Sequence, residues 1–196
     1  MRKFILLLSA LILVACGGNV RQADIARLDF GNFALAWLPA RLPLRGVDVA
    51  APAWLGTTAM QYRLLYADAM QRESYSASRW ASPPADLIER SLNRQVAASG
   101  GGCRLHLDLD EFAQVFTTPQ ASRSVLDVRA SLVAPSGDAV LARKAFSLVQ
   151  VAPTADARGG ASAAAATVQA LGGELGKWLD QAALDNSALS RRCRGD

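Results

Sequence analysis

Histidine is nearly missing from this chain: His106 is the single one among 196 residues. A Ser-His-Asp triad would have to use it. Yet it sits between Arg104 and Asp108 in an alternating stretch, the pattern of a solvated strand face. Two loop types are absent as well. There is no Gly-x-x-x-x-Gly-Lys loop to cradle phosphates. There is no Gly-x-Ser-x-Gly elbow, because Gly160-Ala161-Ser162-Ala163 lacks the second glycine. Asp108, Asp110 and Glu111 cluster, but no glycine follows to form a calcium loop. No basic stripe with interleaved aromatics occurs, which removes nucleic acid as a partner. No sequence repeat is present. These absences make a non-catalytic protein without metal or cofactor the expectation.

What is present begins at the N-terminus. Arg2 and Lys3 precede an apolar run over residues 4–14, interrupted by the hydroxyl of Ser9 alone. A basic start, a short apolar core and a small residue before the cut mark a secretory signal. The run falls well short of the ~20 residues that cross a bilayer. Its end, Leu13-Val14-Ala15-Cys16, resembles a bacterial lipobox, in which cleavage precedes a cysteine that then carries diacylglycerol and a third acyl chain on its amine. Each buried methylene contributes roughly 0.8 kcal/mol, so two or three chains on Cys16 fix a protein to its membrane. Gly17 stands where an aspartate would resemble an inner-membrane retention signal. The expected address is therefore the periplasmic face of the outer membrane. The expected organisation is a signal peptide at 1–15, a lipidated tether at 16–27, one domain at 28–185 and a basic tail at 186–196.

Cysteine is scarce too. Beyond Cys16 only Cys103 and Cys193 remain. In an oxidising compartment such a pair can bridge; the other reading is two unpaired thiols, one in a strand and one in a loose tail. Charge is nearly balanced: the net +4 of the full sequence falls by two when Arg2 and Lys3 leave with the signal.

Periodicity supplies the rest. Residues 28–37 alternate loosely. Residues 41–49 alternate with a slip at Gly46, and Pro43 favours a strand start or an edge. Residues 60–66 place Met60, Tyr62, Leu64 and Tyr66 on one face, and a hairpin arm returns through Tyr75. Ser82-Pro83-Pro84 opens a helix, with serine as cap and proline in the first turn. Ile88, Leu92 and Val96 form its buried stripe, and the glycines at 100–102 end it. Cys103, Leu105, Leu107 and Leu109 alternate with polar residues, and a bulge is expected near Glu111. A hairpin turns at Pro135-Ser136-Gly137-Asp138. A last helix over 161–184 carries Ala164, Val168, Leu171, Leu175, Trp178 and Ala182 in one stripe. Gly172, Gly173 and Gly176 in it imply a close-packed neighbour. The order predicts one α+β domain, a largely antiparallel sheet with two helices packed on one face.

Several segments in this order carry a resemblance: Asp29-Phe30-Gly31, Ala51-Pro52-Ala53-Trp54-Leu55, Met60-Gln61-Tyr62-Arg63-Leu64, Tyr66-Ala67-Asp68, Tyr75 to Arg79-Trp80, and Pro83-Pro84. Together with the lipobox and the closing helix near Trp178 they resemble the ABC-type transport auxiliary lipoproteins, which include the paraquat-inducible protein C lipoproteins. In that pattern Tyr62, Arg63, Tyr66 and Pro83 are the motif residues. The resemblance implies a periplasmic accessory of a transporter carrying mammalian-cell-entry (MCE) domains, which moves phospholipids or other apolar lipids between the two membranes. It also implies a ring-shaped homo-oligomer around the conduit, with ATP hydrolysed by another subunit. Tyr75, Arg79 and Trp80 have two readings: core aromatics on alternating strands, or a partner surface, since Trp, Tyr and Arg are enriched in binding hot spots. A second function class is an outer-membrane assembly lipoprotein serving β-barrel or lipopolysaccharide machinery. A third is a lipoprotein hydrolase, which the missing catalytic groups disfavour.

Overall fold

The computed structural model describes residues 24–31, 42–94, 96 and 102–194. Cys16 lies outside them, as do the signal peptide, most of the tether and part of the stretch read as a first strand. Among the described residues seven strands run β1 Ala26–Leu28, β2 Leu44–Ala50, β3 Ala59–Leu64, β4 Asp68–Trp80, β5 Cys103–Thr118, β6 Ala121–Val133 and β7 Val140–Val151. Three helices are α1 Pro84–Asn93, α2 Ala157–Asp185 and α3 Ser187–Arg194. All strands join one open mixed sheet, with path β1-β4-β3-β5-β6-β7 and β2 beside β5. The domain is α+β, as expected.

Strand β5 organises the sheet. One of its edges pairs antiparallel with β6 from Arg104 to Thr118. The other edge is shared by two parallel neighbours: β2 along Cys103 to Asp108, then β3 along Gln114 to Phe116. The β2 ladder slips between Leu44 and Gly46, at the position the broken alternation marks. The β5–β6 ladder slips between Leu109 and Glu111, where the bulge was expected. That slip turns Phe112 inward to 3% exposure after Leu109 at 2%.

One sheet face is apolar. Leu105 and Leu107 of β5, and Leu126, Val128 and Leu132 of β6, are almost wholly buried. They join Ile88 and Leu92 of α1 and Val168, Leu171, Leu175 and Leu179 of α2 in one core. Burying such a side chain contributes roughly 1.5–3 kcal/mol against leaving it wet. On α2 the stripe rotates slightly toward Leu179 and Ala183, leaving Trp178 and Ala182 half-buried.

Helix α1 begins one residue later than its serine suggests. Pro83 occupies the cap position and Pro84 the first turn, while the Ser82 hydroxyl donates to Asp86 Oδ2 at 2.8 Å. The helix ends at Asn93, whose side-chain amide binds β2. Its Oδ1 accepts from Val47 N at 2.9 Å, and its Nδ2 donates to Val47 O at 2.7 Å. Glu89 Oε2 accepts from Val49 N at 2.9 Å. Two helix side chains thus satisfy backbone groups on the outer edge of β2, which would otherwise be open for pairing.

The C-terminal segment read as a tail is helical. Leu189 and Cys193, four residues apart, share the buried side of α3, while Arg191, Arg192 and Arg194 gather in its last turn. Cys193 is disulfide-bonded to Cys103 at the start of β5, with a Cα–Cα distance of 4.8 Å. The bond closes 90 residues of chain and clips α3 to the sheet.

Candidate interaction face of the sheet

The second sheet face carries charge. Along β5, Arg104, His106, Asp108, Asp110 and Glu111 all lie on it, the last two side by side because of the bulge. Each meets an opposite charge from another strand. Asp48 of β2 takes His106 Nδ1 at Oδ2 and Arg104 Nε at Oδ1, the latter at 3.2 Å. Asp108 Oδ1 stands 3.4 Å from His106 Nε2. Arg129 of β6 forks onto Asp110, with Nε and Nη2 at 2.8 and 2.9 Å. Hydrogen bonding to Asp48 raises the His106 pKa above its ordinary value, although partial burial works against it. The Arg129 hydrogen bonds hold the Asp110 carboxyl below the usual range. The acidic cluster of β5 is thus neutralised strand by strand. Among the described residues no three His, Cys, Asp or Glu side chains form a set that could hold a metal ion.

Toward β3 and β4 the lattice becomes tighter. Arg72 donates to Glu111 Oε1 and Oε2 at 2.8 and 2.7 Å, and Arg63 adds a bond of 3.4 Å. Burial opposes ionisation of Glu111, but the hydrogen bonds and charge of Arg72 outweigh it and keep the carboxyl below its usual range. The guanidinium of Arg72 also lies 4.1 Å from the centre of the Trp54 ring, a cation–π contact. Trp54 keeps 42% of its surface exposed. With Pro52, Asp110 and Arg129 it lines an open cleft of about 420 Å³.

The residues singled out in the sequence do not form one surface. Trp80 is 5% exposed and packs edge-on against Phe30, with ring centres 5.5 Å apart, and beside Phe112 at 5.7 Å. It is a core residue. Tyr75 also turns inward, donating its hydroxyl to Gln114 Oε1 at 2.9 Å. Burial, then the charge of Asp156, pushes its pKa up. Arg79 folds onto its own strand and donates from Nη1 to the carbonyls of Tyr75 and Ser78. The reading of Tyr75, Arg79 and Trp80 as a joint partner surface is therefore corrected. Strand β4 is bulged opposite both Ala59–Gln61 and Tyr62–Leu64, and the bulges re-aim its side chains.

The motif residues have structural tasks. Tyr62 stacks beside Tyr75, with centres 4.8 Å apart, and donates its hydroxyl to Glu73 Oε2 at 2.6 Å. That bond raises its pKa. Arg63 binds Glu111 and the first residues of β4. Pro83 caps α1. Tyr66 lies in the turn and is 48% exposed.

Sequence reasoning missed Gln114, which is 6% exposed. Its Nε2 donates to Ser122 Oγ at 2.7 Å and to Asp156 O at 3.1 Å, while its Oε1 accepts from Tyr75. It joins β4, β6 and the start of α2 through one amide. The unusual signal was a glutamine between Ala113 and Val115 on an otherwise apolar stretch.

These features define an α+β domain with helices on one face of a mixed sheet and a charge lattice on the other. Two solved structures are similar to it in fold. One is a protein from Xanthomonas campestris described by the family model DUF330. It has a TM-score of 0.65 and 18% identity, and the match covers 84% of this chain and 97% of that one. The other is the crystal structure of an uncharacterized protein. It has a TM-score of 0.59 and 14% identity, and the match covers 75% of this chain and 96% of that one. No family model matches the chain, and no curated protein matches it. No helix among the described residues is long and apolar enough to cross a membrane.

Proposed function

We propose that this chain is a lipid-anchored, non-catalytic accessory component of an MCE-type ABC transporter, held on the periplasmic face of the outer membrane and serving lipid movement between the two membranes. The observation that carries the reading is Leu13-Val14-Ala15-Cys16 at the close of a short apolar signal. The ordered motifs from Asp29-Phe30-Gly31 to Pro83-Pro84 point to the transporter. With Tyr75 and Trp80 turned inward, partner contact falls to the charged face. There Trp54 offers an exposed aromatic anchor and Arg129 a solvent-facing guanidinium.

The test is co-purification of the tagged full chain from detergent-solubilised membranes, with mass spectrometry of proteins and lipids. An MCE-domain protein, its permease and phospholipid are the expected companions. Recovery of β-barrel or lipopolysaccharide assembly components instead would replace this reading with the assembly one. A folded Trp54→Ala variant is expected to lose most of the companion protein, and a Cys16→Ser variant to lose its palmitate label.

A further inference from the structure

The β3–β4 hairpin ends in an apolar tip. Leu65, Tyr66 and Met70 expose 41%, 48% and 90% of their surface. The tip is built, not frayed. Leu65 N donates to Phe116 O at 2.9 Å, and Asp68 Oδ1 accepts from the backbone N–H groups of Met70 and Gln71. Arg63 Nη1 donates to the carbonyls of Ala69 and Met70 at 3.3 and 3.2 Å. Asp68 and Arg63 thus both hold the shape of the tip. The adjoining β5–β6 turn, Thr117-Thr118-Pro119-Gln120, carries no charge, and Val151 ends β7 at the same edge with 81% exposure. An apolar edge of this kind marks a surface meant to be covered.

The chain's own course says what covers it. Strand β1 runs parallel to β4, with Ala26 beside Ser78. Strand β4 runs away from the tip, so β1, traced back from Leu28 to Ala26, points toward it. The five steps of β3 from Ala59, opposite Arg79, to Leu64 at the tip rise ~17 Å. Ten residues separate Cys16 from Ala26, enough to span at most ~33–36 Å. The tether is thus long enough for acyl chains on Cys16 to meet the tip.

We propose that the β3–β4 tip seats on the lipid surface that holds the acyl chains of Cys16, with Leu65 and Met70 at the acyl boundary and Tyr66 at headgroup level. Tyrosine suits that level because its ring is apolar and its hydroxyl wet. The inference rests on the lipoprotein reading above. It gives the domain a fixed stance on the membrane, with the charged face standing beside the bilayer.

The test uses the full chain, purified from bacterial membranes and placed in vesicles of phosphatidylethanolamine and phosphatidylglycerol. Nitroxide labels are set at Met70→Cys and, as control, at Lys177→Cys on α2, where the side chain is 76% exposed. Cys103 and Cys193 are bonded to each other and take no label. Collisions with a water-soluble nickel chelate are expected to fall at least fivefold at position 70 relative to position 177, and collisions with oxygen to rise. Mass spectrometry of the N-terminal peptide reports acylation in the same sample. Acylated protein with equal chelate access at both positions overturns the seat alone. Unacylated protein overturns the anchor and the seat together. Strong spin–spin broadening at position 70 would place a second copy on the tip and also overturn the proposal.

Discussion

Gly160 passes so close to Gln114 that a Cβ on the glycine would lie 2.0 Å from Gln114 Oε1. The contact lets the start of α2 lie directly on β5, where the same glutamine holds Asp156 O. Gly160→Ala is expected to push the amide off its partners and destabilise the domain by about 1–3 kcal/mol, the cost of unsatisfied buried polar groups. Gly173, on the same helix, is open: a methyl group added there would meet nothing within 4 Å. Gly173→Ala is expected to stabilise by up to about 1 kcal/mol through helix propensity. Urea unfolding of the two variants checks the opposite signs.

Trp80 gives the core prediction. It closes the aromatic group with Phe30 and Phe112. Trp80→Ala is expected to cost about 3–5 kcal/mol, because a cavity adds to the lost transfer energy. A variant that keeps its unfolding midpoint and loses only its partners would return Trp80 to the surface.

Much of this architecture could be read from alternation. The period of two from Cys103 to Leu109 and from Leu126 to Leu132 fixed which face is buried, and broken periods marked the slips at Gly46 and before Glu111. What alternation cannot reveal is pairing between distant segments. The parallel ladders of β2 and β3 along β5, and the hold of Asn93 and Glu89 on β2, depend on partners 40 or more positions away. The same limit misdirected the glycine argument. Of Gly172, Gly173 and Gly176, which suggested a close neighbour, Gly172 and Gly176 are buried but Gly173 is open, and the close approaches at Gly159 and Gly160, against Thr154 and Gln114, were not anticipated. At the candidate face, the acids of β5 were visible, but their neutralising partners sit on β3, β4 and β6. The inward turn of Tyr75 follows from bulges in β4 that no local pattern announces.

Arg72 and Glu111 test the charge lattice. Their two parallel bonds, with side-chain exposures of 21% and 19%, make Glu111 the hub for Arg72 and Arg63. Glu111→Gln is expected to cost about 1–3 kcal/mol by leaving two half-buried guanidinium groups poorly paired. Arg72→Lys is expected to recover only part of wild-type stability, since an ammonium offers neither the fork nor the flat stack on Trp54. Thermal unfolding of the two variants beside wild type would show it. Full stability in Arg72→Lys would mean that charge alone, without the fork, holds β4 to β5.

His106 makes the sheet's cohesion depend on pH. Its bond to Asp48 joins β2 to β5, and Asp108 faces its other nitrogen. Arg104 lies against Asp48, and Arg129 stands 4.0 Å from Asp108, so both carboxylates also see fixed positive charge. The folded chain holds the imidazolium proton above the ordinary value of 6.5. A raised folded pKa means that the ion pairs contribute fully below that ordinary value and are lost as pH climbs through the folded one. The melting-temperature gap between wild type and His106→Gln is therefore expected to be widest near about pH 6 and to close toward about pH 9. Both melts should be run in low salt, because the pair is one-third exposed and screening weakens it. A gap that stayed constant across that range would mean that the imidazole serves only as packing between β2 and β5.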